Sequence, residues 1–411
     1  MLTGSTILIA AWAVGGNAVA YEFVARKLVA AGARVVVLGN EPMRVRAGQA
    51  GAEFLPYERA PHETAAPPGR DAPGSWQNAG VSDTARALSE QLLFGPAHLF
   101  LADVSAAIEK FRPHLVIADH VLLGALLAAE RAGIPHVVCV TTVYPLPTGA
   151  PNRAGDIGSG PYRILYQRML DKGLGRFNQI RQDHGLTPTS TVSGQYGRAD
   201  RCMVLSYRCF DPAASSVPDR VVYVGAPVEL PRWPLVDTAA RDANLVIGLS
   251  TLADPSGSAQ LDRLLAAVGG LAARVFVLGE VDAATRTIPP NVTLTGFVQP
   301  SDLFARATGV VTQGGHGTVL RALAHGVPIL GIPSMIDQYE NVRRAVSLGA
   351  AIEARWDAPA DELRDRLRNL LTDDAYRVHA RRVAEALRRE HDENAIVDLA
   401  VEVLDRRSAS S

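Results

Sequence analysis

Short, almost wholly apolar runs of four to six residues recur along this chain, separated by glycines, prolines and segments of helical period. Residues 6–11 (TILIAA), 34–39 (RVVVLG), 114–118 (HLVIA), 136–141 and 201–206 (RCMVLS) are the runs of the first half. Residues 245–250, 274–279, 292–296, 308–312 (TGVVT) and 328–332 are those of the second. A strand that is apolar on both faces must be covered on both faces, which is what helices do in an open parallel sheet. Residues 18–31, 122–132, 259–271 and 319–324 carry helical patterns and supply the crossovers. The chain therefore reads as α/β, with a doubly wound parallel sheet in each half.

Length and composition agree with that reading. A chain of 411 residues has room for two to three domains of roughly 100–200 residues. Forty-one basic against 42 acidic residues leave a formal charge of −1, which excludes a generally basic protein that neutralises a phosphate backbone. The three cysteines, Cys139, Cys202 and Cys209, are odd in number and form no C-x-x-C pair. They read as small buried hydrophobes in a reducing cytoplasm. The apolar stretch 7–25 follows no Lys or Arg and is interrupted by Gly15-Gly16-Asn17 and Glu22, so it reads as strand, turn and helix rather than a leader or a membrane span.

The boundary is expected in residues 217–243, where Pro218, Pro227, Pro231, Trp233 and Pro234 crowd together. That gives a first domain over 1–216, a linker over 217–243, a second domain over 244–390 and a terminal helix within 391–411 expected to pack back toward the first domain. Residues 56–81 and 144–162 lose the pattern, and long loops after parallel strands commonly hold ligands.

The densest chemical signal is VTQGGHGTVL, residues 311–320. A strand ends, Gly314, Gly315 and Gly317 follow, and a helix begins near Thr318. Glycines let backbone N–H groups approach a ligand, and a helix start offers unpaired donors at the positive end of its dipole. The segment lacks the G-K-[ST] of a P-loop, and Leu320 stands where a dinucleotide fingerprint needs its third glycine. Shortly after comes Gly326-Val327-Pro328, a strand, and then Asp337-Gln338, a pair that can accept and donate hydrogen bonds to sugar hydroxyls.

Residues 312–338 (TQGGHGTVLRALAHGVPILGIPSMIDQ) resemble the nucleotide-sugar glycosyltransferases of family 1, most of all the bacterial branch that modifies polyketides and other natural products. The family pattern is T-H-G-G-x-G-[ST], then G-V-P, then P-x-x-x-D-Q. VIGLST (246–251), TGFVQPSD (295–302), HLVIAD (114–119) and YVGAP (223–227) extend the likeness over nearly the whole chain. The resemblance implies the glycosyltransferase-B (GT-B) fold, two Rossmann-like domains facing a central cleft. It implies an inverting transfer from a dTDP- or UDP-sugar to a hydrophobic acceptor, without a metal or other cofactor. It implies that Ser250, Thr251, Val298, Gln313, Gly315, His316, Gly317 and Thr318 surround base and phosphates while Asp337 and Gln338 hold the sugar. The acceptor is expected near Trp76, Phe94 and Tyr144. The sequence shows no D-x-D, H-E-x-x-H or Cys/His ligand spacing, and neither a nucleic acid nor an integral membrane segment is expected. A homodimer is admitted as an assembly.

Three positions depart from the pattern. Gln313 replaces the His before the glycine pair. Arg321 stands where the family often has a Glu for the ribose, and Arg cannot accept from hydroxyls. Asn17 replaces the N-domain His that is the family's general base, and an amide cannot take a proton at neutral pH. Asp119, which resembles that His's partner, becomes the first candidate base. His120 is expected to point elsewhere, and His62 and His98 read as surface groups. The loss of the His leaves room for a C-glycosyltransferase or for an acceptor that is an acidic phenol or enol. A catalytically silent partner protein of the same fold is the alternative from another class.

Overall fold

The computed structural model describes residues 2–13, 16–62, 89–148, 161–233, 235, 243–249, 255–296, 300–334 and 336–408. In the first half, β1 (Thr6–Ala10), α1 (Asn17–Ala30), β2 (Arg34–Gly39), α2 (Met43–Gln49) and β3 (Glu53–Pro56) run in succession. They are followed by α3 (Ala97–Phe111), β4 (Leu115–Asp119), α4 (Leu123–Arg131) and β5 (His136–Val140). Helices α5 (Pro161–Lys172), α6 (Leu174–Asp183) and α7 (Gly194–Arg198) then lead to β6 (Arg201–Val204) and β7 (Val221–Tyr223). The seven strands form one parallel sheet in the order β3-β2-β1-β4-β5-β6-β7.

Strand alternation feeds two cores. Leu8 and Ala10 of β1 point into one, with Val36, Leu38 and Phe100; Ile7 and Ile9 point into the other, with Val35, Val37 and Tyr21. Helix α1 forms because an Ala-rich segment places Ala18, Tyr21, Val24, Ala25 and Leu28 on one buried face. It stops at Gly32, whose φ of +91° is the left-handed closure glycine favours.

The second half repeats the plan. Strand β8 (Asn244–Gly248), α8 (Pro255–Val268), β9 (Arg274–Leu278), β10 (Val292–Gly296) and α9 (Pro300–Phe304) precede β11 (Gly309–Thr312), α10 (His316–Ala324) and β12 (Ile329–Gly331). Helix α11 (Ile336–Ser347), β13 (Ala351–Glu353), α12 (Ala360–Thr372) and α13 (Asp374–Glu390) complete it. The sheet order is β10-β9-β8-β11-β12-β13, again parallel. In each sheet the order reverses beside a central strand, at β1/β4 and at β8/β11, which opens a crevice past the strands' C-terminal ends.

The proline-rich connector does not begin at residue 217: residues 221–223 are β7, paired with β6 as the edge of the first sheet. Three residues between Pro218 and Pro227 are too few to show a period, so only pairing reveals them. At the other end, α14 (Ala395–Ser408) buries Ile396, Leu399, Ala400 and Val403 in the first domain's core beside α1. Glu402 of this helix is paired with Arg201 of β6. No helix among the described residues is long and apolar enough to cross a membrane.

Candidate active site

The glycine turn joins β11 to α10 at the crevice of the second sheet. Gly314 has φ +94°, and a Cβ there would lie 2.6 Å from Val342 Cγ2 and 2.7 Å from the Gln338 carbonyl oxygen. The turn is thus pressed onto α11, and Asn341 Nδ2 donates to the Gly314 carbonyl at 3.0 Å. Gly315 and Gly317 differ: among the described residues a Cβ on either would meet nothing within 4 Å. Packing against the described residues does not require these two glycines, and what they leave beside the helix start is open space among those residues. Gly315 caps α10 without a side-chain hydrogen bond, so the first-turn N–H groups are left for a ligand or water.

Asp337 and Gln338 open α11, one turn from Asn341. Burial raises the pKa of the Asp337 carboxyl, against the opposing pull of its own N–H and that of Gln338. Gln338 Oε1 accepts from the N–H of Ser334 at 3.0 Å and from its hydroxyl at 3.2 Å. Thr318 is half-buried on the first turn of α10. Gln313 is buried inside the protein rather than laid open to the crevice. Arg321, half-buried on α10, has Glu229 of the connector as its counter-charge. Ser250, Thr251 and Val298, as well as Trp76, lie outside the described residues.

A cavity of about 610 Å³ opens at the ends of β9 and β10, walled by Leu261, Gly279, Glu280, Val281, Leu294 and Gly296. Strand β9 lies two places from β11, about 10 Å at the usual strand spacing. The cavity and the glycine turn therefore share the C-terminal end of one sheet. Among the described residues no cluster of three or more His, Cys, Asp or Glu side chains is arranged to hold a metal.

On the first sheet, Asn17 begins α1, and its Oδ1 accepts from the Thr141 hydroxyl at 3.1 Å. One turn on, the Tyr21 hydroxyl donates to Asp119 Oδ2. Asp119 Oδ1 accepts from the Val121 N–H at 3.0 Å, and the carboxylate is 0% exposed. The sequence offers Asp119 as a base; the fold encloses it and gives each oxygen a donor. His120, expected to point elsewhere, brings Nδ1 to 2.9 Å of Asp119 Oδ1 without hydrogen-bond alignment, because the chain turns sharply after β4. Phe94, expected at the acceptor, is a core residue instead. It is 2% exposed and fills the space that a side chain at Gly173 would need, edge-on to Phe177. Tyr144 is also buried, 5% exposed, and burial raises its phenol pKa. His62 and His98 are exposed.

The two crevices face one another. His316, the first residue of α10, does not turn its ring to the open space of the glycine turn. Its Nε2 lies 3.1 Å from the Leu205 carbonyl oxygen, just past β6, and its Nδ1 lies 3.1 Å from Asn341 Oδ1. A buried ionic cluster crosses the same seam. Arg163 of α5 and Arg344 of α11 both reach Asp211, at 3.0 and 3.3 Å, and Arg344 also reaches Glu340 at 2.8 Å. All four side chains are buried. Burial alone would raise the Asp211 pKa, but Arg344 and Arg163, with the Tyr223 hydroxyl, hold it below the usual value. The Glu390 carboxylate accepts from the N–H groups of Arg208 and Cys209 where α13 ends. None of Tyr21, Leu205, Asn341, Asp211 or Arg344 stood out in the sequence. Only Tyr21 carried a signal, its four-residue spacing from Asn17 on one helix.

Residues 262–402 match the family described as erythromycin biosynthesis protein CIII-like, C-terminal domain. The chain is 25% identical over 425 residues to 4′-demethylrebeccamycin synthase of Lentzea aerocolonigenes, covering 98% of each. It is 26% identical over 312 residues to 3-alpha-mycarosylerythronolide B desosaminyl transferase of Saccharopolyspora erythraea, covering 72% of this chain and 69% of the relative. Among solved structures it resembles CalG4, the calicheamicin glycosyltransferase, with a TM-score of 0.76 at 19% identity over 99% of both chains. It also resembles the glycosyltransferase VinC in complex with dTDP, with a TM-score of 0.70 at 21% identity over 98% of this chain and 100% of VinC. The chain is a glycosyltransferase of the GT-B fold, and its residues 262–402 are similar to the erythromycin biosynthesis protein CIII-like C-terminal domain.

Proposed function

We propose that this enzyme moves a sugar, with inversion, from a thymidine- or uridine-diphosphate sugar to a hydrophobic natural-product acceptor. The observation that carries the reading is the open space at Gly315 and Gly317 beside the uncapped start of α10. The diphosphate sits against those N–H groups, where the helix end stabilises the charge that grows on the leaving group. The base reaches the cavity at the ends of β9 and β10. Asp337 and Gln338 take the sugar hydroxyls, and the acceptor approaches the anomeric carbon from the first domain, opposite the leaving group. The relatives named for antibiotic products and the VinC–dTDP complex support the donor and acceptor classes.

The enclosure of Asp119 and the tethering of Asn17 to Thr141 favour a narrower version of this reading. Neither group is poised to take a proton, so the acceptor nucleophile is one that needs little help, such as a phenol, an enol or an activated carbon. The experiment offers the protein thymidine- and uridine-diphosphate sugars with paired phenolic and aliphatic-alcohol acceptors. Product mass and anomeric configuration are then read. Inverted products on the phenols are expected. No turnover with no nucleotide binding overturns the reading, retained configuration overturns inversion, and equal rates on aliphatic alcohols overturn the narrower version.

A further inference from the structure

The ring of His316 has no role in the reading above, although it lies in the motif that reading uses. It is the first residue of α10, flanked by Gly315 and Gly317, both bare toward the crevice. Its Nε2 meets the Leu205 carbonyl on the opposing domain, and its Nδ1 meets Asn341 Oδ1, each at 3.1 Å. Asn341 is oriented by its own donation to the Gly314 carbonyl at 3.0 Å. The connection therefore runs from the residue just past β6 through the imidazole and Asn341 to the glycine turn. Phe210 stacks at a tilt against the same ring, with centroids 5.9 Å apart, and holds it from the first-domain side. The crossings at Asp211–Arg344, at Glu390 and at Tyr207–His391 do not involve the glycine turn.

We propose that His316 is a positioning residue: its imidazole ties the donor turn to the Leu205 carbonyl, so the turn takes its diphosphate-binding geometry only with the two domains closed. The inference rests on the reading that this turn holds the donor diphosphate. It predicts that affinity for the donor depends on a side chain that points away from the donor. Removing the ring releases the turn from the opposing domain, and part of the donor's binding energy then goes into closing the cleft.

The test uses the full chain and the variants His316→Ala and His316→Gln, since a Gln amide N–H can also reach a carbonyl. Steady-state kinetics give separate donor and acceptor KM values, and calorimetry gives the affinity for thymidine and uridine diphosphates. The Ala variant is expected to raise the donor KM about tenfold, as one lost hydrogen bond does, with the acceptor KM unchanged. The Gln variant is expected to recover most of the loss. If the Ala variant does not fold, the Gln variant and Asn341→Ala carry the comparison. Equal donor KM in wild type and variants, or equal losses in Ala and Gln, overturns the inference while leaving the donor site standing. A wild-type protein that binds no nucleoside diphosphate overturns the donor site itself.

Discussion

Tyr21 donates its hydroxyl to Asp119 one helical turn beyond Asn17, so the carboxylate that a base at position 17 would use already has a partner. Burial raises the Tyr21 pKa far above its usual value, with the Asp119 charge adding to the effect, so Tyr21 remains a phenol that can donate. This pairing makes Asp119 an anchor between β4 and α1. Asp119→Asn is then expected to lower the transfer rate less than tenfold while reducing stability by about 1–3 kcal/mol. A loss of 10³-fold or more at unchanged stability, in single-turnover kinetics beside urea denaturation, would restore Asp119 as the base.

The same pair predicts how a stronger base could be introduced. Asn17→His alone adds an imidazole without an orienting carboxylate, because Tyr21 holds Asp119. Asn17→His with Tyr21→Phe frees the carboxylate to orient it. The double variant is expected to speed transfer to aliphatic alcohols about 10²-fold, with the single variant well short of that. Equal rates for single and double variants would show that Tyr21 does not restrain the site.

The glycines of the donor turn should separate by phenotype. Gly314→Ala strains a left-handed residue and forces a Cβ to 2.6 Å from Val342, so a loss of folded protein is expected. Gly317→Ala meets none of the described residues within 4 Å and is a better helix former, so its urea midpoint is expected to hold or rise. Its affinity for nucleoside diphosphate is expected to fall at least about tenfold, as a methyl group enters the space of a ligand held by backbone N–H groups. Calorimetry on the folded variant checks this, and unchanged affinity would move the diphosphate elsewhere.

The buried cluster at the domain seam should be costly to break from one side. Asp211→Ala leaves Arg163 and Arg344 without their shared carboxylate and is expected to cost about 3–5 kcal/mol. Glu340 still balances one of the two charges. A change below 1 kcal/mol in urea unfolding would show that water enters the seam.

His316 and His325 each give stability a pH dependence of definite sign. Burial lowers the pKa of His316, with Arg344 acting in the same direction. It also lowers that of His325, with Arg321 adding to it. Each takes up a proton on unfolding before it does so in the folded chain. Stability is therefore complete above the ordinary histidine value near 6.5 and falls as pH drops below it. The slope is at most about 1.4 kcal/mol per pH unit for each ring. Urea midpoints at pH 7.5, 6.5 and 5.5 are expected to fall in that order, with a shallower slope in His325→Gln. A rising midpoint toward pH 5.5 would reverse the assignment.

Several elements missing from the sequence reading share one cause. Helix α11 carries Gln338, Asn341 and Arg344 on its inner side, with Val342 and Ala345. Its buried face interleaves polar with apolar groups, and the polar ones find their partners in the glycine turn, across the seam, at Ser334 and at Glu340 of the same helix. Strand β7 was hidden because three residues hold no alternation to read. Phe94 looked available in a loop-rich stretch because the sequence does not show Gly173 making room for its ring.

The sequence by itself determined the buried strands, the parallel α/β class, the division into two sheets and the glycine turn after β11. These follow from periodicity and backbone freedom, which are local properties of the chain. The tertiary structure decided the side-chain assignments of the candidate site. It gave Asp119 to Tyr21, turned His316 away from the crevice toward Leu205, and pressed Gly314 onto α11 while leaving Gly315 and Gly317 bare. Those outcomes depend on which elements become neighbours, and a buried polar atom takes whichever partner packing brings within hydrogen-bond distance.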